Sequence, residues 1–295
     1  MTSDTIRDDV AEASRPATAP TGTERPKVAR EPLLERIPSP IMIGTAVLLL
    51  LAVWEFVVRV GWVSEFVLPL ASDTARALAD VLSDLFTGGN VWDNFRVTIQ
   101  QALLGLFFAS IIGFLVGALI AETVIGRRVI QPFMVALYAA PKVALAPVFV
   151  AWFGFGLTPK VVMAVTIAFF PVMVDTAAGL AGIDEDADKM FTTLRANRLQ
   201  RFVKLKLPTA LPFVFAGLKS AAVLSLIGSL VAEFSGGGRG IGSLIQAASL
   251  RFNLDRVFAY VILLSVTAFL IYWVIDLIER RVVFWRTSGF IPTQS

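Results

Sequence analysis

The sequence predicts an all-α, polytopic membrane protein of about six transmembrane helices, and three observations predict it. The 295 residues are 56% hydrophobic and 17% charged, where a soluble domain carries about 25% charge; mean hydropathy is +0.73. Several apolar runs approach or exceed the ~18–20 residues that cross a bilayer. One long charged stretch, 184–212, interrupts the second half of the chain between two such runs and has to face water. Cysteine and histidine are both absent. That removes disulfides, thiolate metal sites and the commonest general base.

Taken in order, residues 1–36 are polar, rich in Pro, Thr and Ala, and show no apolar periodicity. A disordered tail is expected there. An early basic start followed by an apolar core is missing, so the pattern is not that of a signal peptide. The first span is expected at about 41–58. Within the mixed segment 61–96, Ala77, Leu78, Val81, Leu85 and Phe86 fall at helical spacing, which predicts a surface helix over 73–86 ended by Gly88-Gly89. The second span, about 97–121, carries Gly113 and Gly117, a pair that lets another helix approach closely. The third apolar region, 129–159, contains Pro141, Lys142 and Pro147. Proline removes a helix hydrogen bond and clashes with the preceding turn, so a discontinuous helix is expected. Spans four to six are expected at about 161–180, 211–232 and 257–277, with a Gly-rich loop over 235–242.

Orientation follows from Lys and Arg near the spans. With a cytoplasmic N-terminus, the inner segments hold fourteen: Lys27, Arg30, Arg36, Arg127, Arg128, Lys189, Arg195, Arg198, Arg201, Lys204, Lys206, Arg280, Arg281 and Arg286. The outer segments hold seven: Arg59, Arg76, Arg96, Lys160, Arg239, Arg251 and Arg256. Both termini and the loop 184–208 are therefore expected inside. The expected organisation is a tail over 1–36, a transmembrane domain over 37–287 containing that loop, and a C-terminal tail over 288–295.

The loop has its own pattern. Asp184, Glu185 and Asp186 suit a helix N-terminus, where free N–H groups and the dipole favour acids. Ala187, Met190, Phe191 and Leu194 then fall at i, i+3, i+4 and i+7, one apolar face, with Lys189, Arg195 and Arg198 off it. A second helical piece is expected over 200–207, ending before Pro208. Topology alone explains the charge of this loop. It does not explain the apolar stripe, which has to bury against the chain's own helices or in a partner's groove.

These residues carry a resemblance. The loop is similar to the cytoplasmic loop of permease subunits of bacterial ABC importers. Leu205-Lys206-Leu207-Pro208, Ala210-Leu211-Pro212, Ala144-Leu145-Ala146-Pro147, Trp152-Phe153-Gly154-Phe155-Gly156, Phe169-Phe170-Pro171 and Ala232-Glu233-Phe234 resemble the nitrate/sulfonate/taurine branch, over about 66–286. There is a departure. Nineteen residues before Pro208, Lys189-Met190-Phe191 stand where the family has Glu-Ala-Ala, and Arg195 stands where it has a turn-forming Gly. With Arg195 there, the turn is expected to be helical or to use another residue such as Asn197.

The resemblance implies that the loop, through Ala187, Met190, Phe191, Leu194, Arg195 and Arg198, couples to cytoplasmic ATPase subunits that bind the ATP. It further implies an extracytoplasmic solute-binding protein, a homodimer in the bacterial inner membrane, and no cofactor in this chain. No nucleic-acid partner is expected. The spacing Gly237…Gly242 imitates a phosphate loop, but Ser243 follows where Lys is required. Ionisable and polar residues inside spans are candidates for the solute path or its gate. They are Lys142 (anion contact or a cap on free carbonyls), Asp175 (substrate contact or structural pairing), Ser229 and Glu233 (outer gate or structure). Ser225, Phe107, Phe149 and Trp152 join them as path candidates, and Lys219 is expected to snorkel to the cytoplasm. The substrate implied is a small anion such as a sulfonate, taurine or nitrate, or a pyrimidine or vitamin-precursor heterocycle. A stand-alone secondary transporter or channel is the alternative. It would call for an internal repeat or a carboxylate relay, and neither is visible. An enzyme is not expected.

Overall fold

The computed structural model describes residues 39–285. The expected tails over 1–36 and 288–295, with Lys27, Arg30, Arg36 and Arg286, lie outside the described residues. The chain divides into two compact units, Met1–Leu50 and Leu51–Ser295. Helix α1 (Ser39–Arg59) begins in the first and ends in the second; everything below concerns the second.

Its described part is helical throughout. Helix α2 (Ala71–Thr87) ends on Gly88, whose φ of 78° is the left-handed conformation that closes a helix. The buried face of α2 is Thr74, Ala77, Val81 and Leu85, whereas Phe86, read from the sequence as part of that face, is 83% exposed. Helix α3 (Asn90–Glu122) has 33 residues, about 50 Å at 1.5 Å per residue. It is longer than the ~30 Å hydrocarbon layer, so its polar first turns, with Asp93, Asn94 and Arg96, extend beyond the apolar run. The expected discontinuity is present. Residues Gly126–Ala139, which include helix α4 (Gln131–Ala139), and Lys142–Phe153, which include helix α5 (Ala146–Phe153), meet at an 83° bend at Pro141. Helix α6 (Leu157–Ala181) follows.

Helix α6 is the centre, packed against α3 on one side and against helix α9 (Leu207–Gly236) on the other. Small residues allow the approach. A Cβ at Gly113 would lie 2.8 Å from Val172, and one at Gly117 would lie 2.6 Å from the Met173 carbonyl, so the expected glycine pair does seat a neighbouring helix. A Cβ at Gly217 would lie 2.9 Å from the Pro171 carbonyl, which brings α9 against α6 at its internal proline. The core there is correspondingly lean: Ala109, Ala168, Val172 and Ala221, all 0% exposed. A second core joins α2, α3, helix α10 (Ile241–Leu250) and helix α11 (Leu254–Val282) through Val81, Ala102, Ile241, Ala259 and Leu263. Helix α10 is missed by the sequence reading, which passes from the Gly-rich loop directly to the last span.

The loop between α6 and α9 contains helix α7 (Glu185–Thr193) and the short helix α8 (Arg198–Arg201). The second piece was expected to end before Pro208. Instead it runs through a π turn, Phe202–Lys206, directly into α9, giving one helix of 39 residues from Arg198 to Gly236. The wider i→i+5 turn and the placement of Pro208 in the first turn of α9 leave the proline's missing N–H without a cost.

Candidate functional site

The loop is built from local rules. The Asp184 carboxylate accepts the Asp186 N–H at 3.1 Å and caps α7, whose first turn also carries Glu185, Asp186 and Asp188. Arg195 closes α7 with φ 54°. The turn is therefore neither helical nor at Asn197; Arg195 itself takes the left-handed conformation that the sequence reading assigned to a glycine in the family. Asn197 serves differently. Its side chain accepts the Gln200 N–H at 2.8 Å while the Gln200 side chain accepts the Asn197 N–H at 2.9 Å, a reciprocal capping box for α8.

The stripe divides. Ala187 and Phe191 are half-buried, whereas Met190 is 54% and Leu194 is 71% exposed. Leu199, which the sequence reading did not single out, is 71% exposed as well. Arg195 and Arg198 are exposed on the same loop. Two ion pairs tie this face to the helices. Arg201 pairs with Asp188 and so holds α8 to α7. Lys206 donates to Glu122 at the end of α3 at 2.7 Å. The result is an apolar face on a braced loop.

At the opposite end of α9, Glu233 is 0% exposed and sits among hydrogen bonds. Its carboxylate accepts the Thr98 hydroxyl at 2.8 Å and the Gly242 N–H at 2.6 Å. The Thr98 oxygen in turn accepts the Ile241 N–H at 2.8 Å, and the Asn94 oxygen accepts the Gly240 N–H at 2.7 Å. Three consecutive N–H groups at the start of α10 are thus each met by a side chain from α3 or α9. Gly240 is required: its φ is 145°, and a Cβ there would lie 2.1 Å from the Glu233 carboxyl carbon. Lys160, 4% exposed, donates to the Arg239 carbonyl at 2.9 Å, and its charge acts on Glu233. Sequence reasoning named Glu233 but missed Asn94 and Thr98. Their signal was two polar residues one helical turn apart, at the entry to an apolar span.

The remaining candidates are dispersed. The Lys142 ammonium donates to the Tyr138 carbonyl at 2.9 Å and lies over the Tyr138 and Phe170 rings at 4.1 and 4.3 Å. It thereby meets a carbonyl freed by the bend. Asp175 is half-buried opposite Gly217 and makes no hydrogen bond or ion pair among the described residues. Ser225 and Ser229 are buried, with hydroxyls donating to carbonyls of their own helix. Phe149 is buried, while Phe107 and Trp152 are exposed. Lys219 does not snorkel. It pairs with Asp276 and Glu279 of α11, because α9 and α11 pack there. Among the described residues no group of three His, Cys, Asp or Glu side chains is placed to hold a metal ion.

Among the described residues five apolar helices are long enough to cross a membrane, beside one bent pair, and α3 and α9 pack on α6 through small residues; this defines a multi-pass membrane protein. The comparisons with known proteins make the class specific. Residues 109–284 match the family model described as the binding-protein-dependent transport system inner membrane component, and the chain belongs to that family. A formylaminopyrimidine transport permease protein of Halalkalibacterium halodurans is 30% identical over 240 residues, 81% of this chain and 93% of the relative. An aliphatic sulfonates transport permease protein of Bacillus subtilis is 28% identical over 239 residues, 81% of this chain and 85% of the relative. These relatives are transport permeases rather than enzymes, and they agree with the branch that the motifs resemble. Among solved structures, an inward-facing methionine ABC transporter aligns with a TM-score of 0.56 at 22% identity, over 65% of this chain and 94% of that one, which supports the fold.

Proposed function

We propose that this chain is the path-forming subunit of an ATP-driven importer, working as a homodimer and driven through the loop 184–208. One observation carries the proposal: Met190, Leu194 and Leu199 stand exposed on a loop that is braced by two ion pairs and continuous with a span. Exposed leucine and methionine on a water-facing, braced helix have an energetic reason to dock. The helix that follows carries the resulting force along the membrane core. The partner at this face is a cytoplasmic ATPase subunit that binds and hydrolyses ATP, since the chain has no phosphate loop of its own. Both termini and the loop lie in the cytoplasm, as the twofold excess of Lys and Arg indicates. A solute-binding protein delivers substrate to the opposite face.

The substrate is a small oxyanion such as a sulfonate, taurine or nitrate, or a pyrimidine-type heterocycle. The sulfonate and formylaminopyrimidine relatives support that pair of classes. Lys142 and the half-buried Asp175 are the ionisable groups proposed to meet it, whereas Ser229 and Glu233, both 0% exposed, take the structural role among the alternatives, holding the helices behind the path. The test is co-expression with an ATPase subunit of the same importer class. The native chain co-purifies with it and supports ATP-dependent uptake, and Leu194→Asp loses uptake by about tenfold or more, as for a buried anchor at an interface, while the chain's unfolding temperature stays unchanged. Full uptake by the native chain with no ATPase bound would overturn the proposal.

A further inference from the structure

A groove apart from both regions above joins an apolar slot to a polar basin. The slot, about 260 Å³, runs between the end of α3, α4 and the last turns of α6, and opens between Val135 (61% exposed) and Val174 (48% exposed). Its lining is otherwise almost entirely aliphatic, with Met134, Met173 and Ala178 along it. The basin, about 400 Å³, lies under α7 and holds the carboxylates Glu122, Glu185 and Asp188 beside Lys189 and Lys206. Arg127, with Ala121 and Ala181, lines both and marks the boundary between them.

The charges in the basin are already committed, except one. Lys206 is paired with Glu122, Asp188 with Arg201, and Lys189 with Glu185 and Asp186. Arg127 makes no hydrogen bond or ion pair among the described residues. An uncommitted guanidinium therefore stands where an aliphatic slot ends, at the level where α3 and α6 leave the apolar layer. An arginine fork matches a phosphate, and with the basin's three carboxylates already paired Arg127 is the cation left to draw an anionic headgroup. We propose that this groove is a binding site for an anionic phospholipid, with an acyl chain in the slot against Met134, Met173 and Ala178 and the phosphate on Arg127. Because the site lies directly under α7, the bound lipid braces the loop against the membrane surface.

The test uses the full-length chain in detergent, equilibrated with mixed phosphatidylglycerol and phosphatidylcholine and washed, with retained lipid counted by mass spectrometry. Arg127→Gln is expected to retain about fivefold less phosphatidylglycerol, the effect of one basic side chain at an anionic surface. Arg127→Lys restores retention, and Ala178→Trp, which fills the slot, loses it. Phosphatidylcholine retention is the same in all four proteins, and glycerol 3-phosphate displaces nothing. Equal phosphatidylglycerol retention by native, Arg127→Gln and Ala178→Trp chains would overturn the proposal. So would release by glycerol 3-phosphate alone, which would make this a site for a free phosphate. Disulfide formation between two copies of Ala178→Cys would also overturn it by placing a second subunit on the groove; the absence of native cysteine makes that reading clean.

Discussion

The two ends of α9 solve opposite problems with similar polar residues. At the Glu233 end, a carboxylate, a hydroxyl and an amide oxygen are spent on three consecutive backbone N–H groups, and the carboxylate is fully enclosed. At the loop end, the side chains of the ion pairs Asp188–Arg201 and Lys206–Glu122 are 20–32% exposed, and leucine and methionine face outward. A buried carboxylate left without its partners is costly, so the first arrangement tolerates few alternatives. A partly exposed ion pair contributes little and can be remade. The contrast separates a part that is fixed from a part that is held ready to engage.

Four measurements sharpen or break this contrast, and the largest effect is expected at Gly240. Gly240→Ala both strains a φ of 145° and collides with the Glu233 carboxylate, so it should cost about 4 kcal/mol of stability, read as a sharp fall in unfolding temperature in detergent. Glu233→Ala follows, at about 3 kcal/mol, since it leaves the buried Gly242 N–H and Thr98 hydroxyl without their acceptor. If either variant unfolds like the native chain, the Glu233 end is not the fixed part. Asp188→Asn should change global stability by less than about 1 kcal/mol, yet raise amide exchange in α7 and α8 as their brace is lost. Arg195→Gly should be the mildest and opposite in sign. Glycine tolerates the left-handed turn that Arg195 adopts, a gain of about 0.5 kcal/mol after its own entropy cost, seen as slower proteolysis of the loop.

Much of the architecture was legible because it rests on composition and on breakers. Pro141 announced the 83° bend, the uncharged runs announced the spans, and Gly113 and Gly117 announced the tight approach of α3 to α6. Helix α10 was not legible, because its ten residues follow a glycine run and are too few to register as a span. The continuity from α8 into α9 was hidden by Pro208, whose usual meaning as a terminator is cancelled by the π turn before it. For the site, sequence spacing found α7 and its stripe but not which stripe residues face out. Periodicity defines a face, and only packing decides that Phe191 turns inward while Leu194 does not. Thr98, which donates to Glu233, is 135 residues away in the chain, beyond the reach of any local pattern.

The unbroken helix from Arg198 to Gly236 has a consequence for timing. Its 39 residues extend about 58 Å, with two irregular points towards one end, the π turn Phe202–Lys206 and the internal Pro212. Beyond Pro212 the helix runs on without a further proline to Gly236, and its far end is tied to α3 and α10 through Glu233. If the chain is driven through the loop as proposed, a displacement there reaches the Glu233 end without delay, so the two ends of this helix move together.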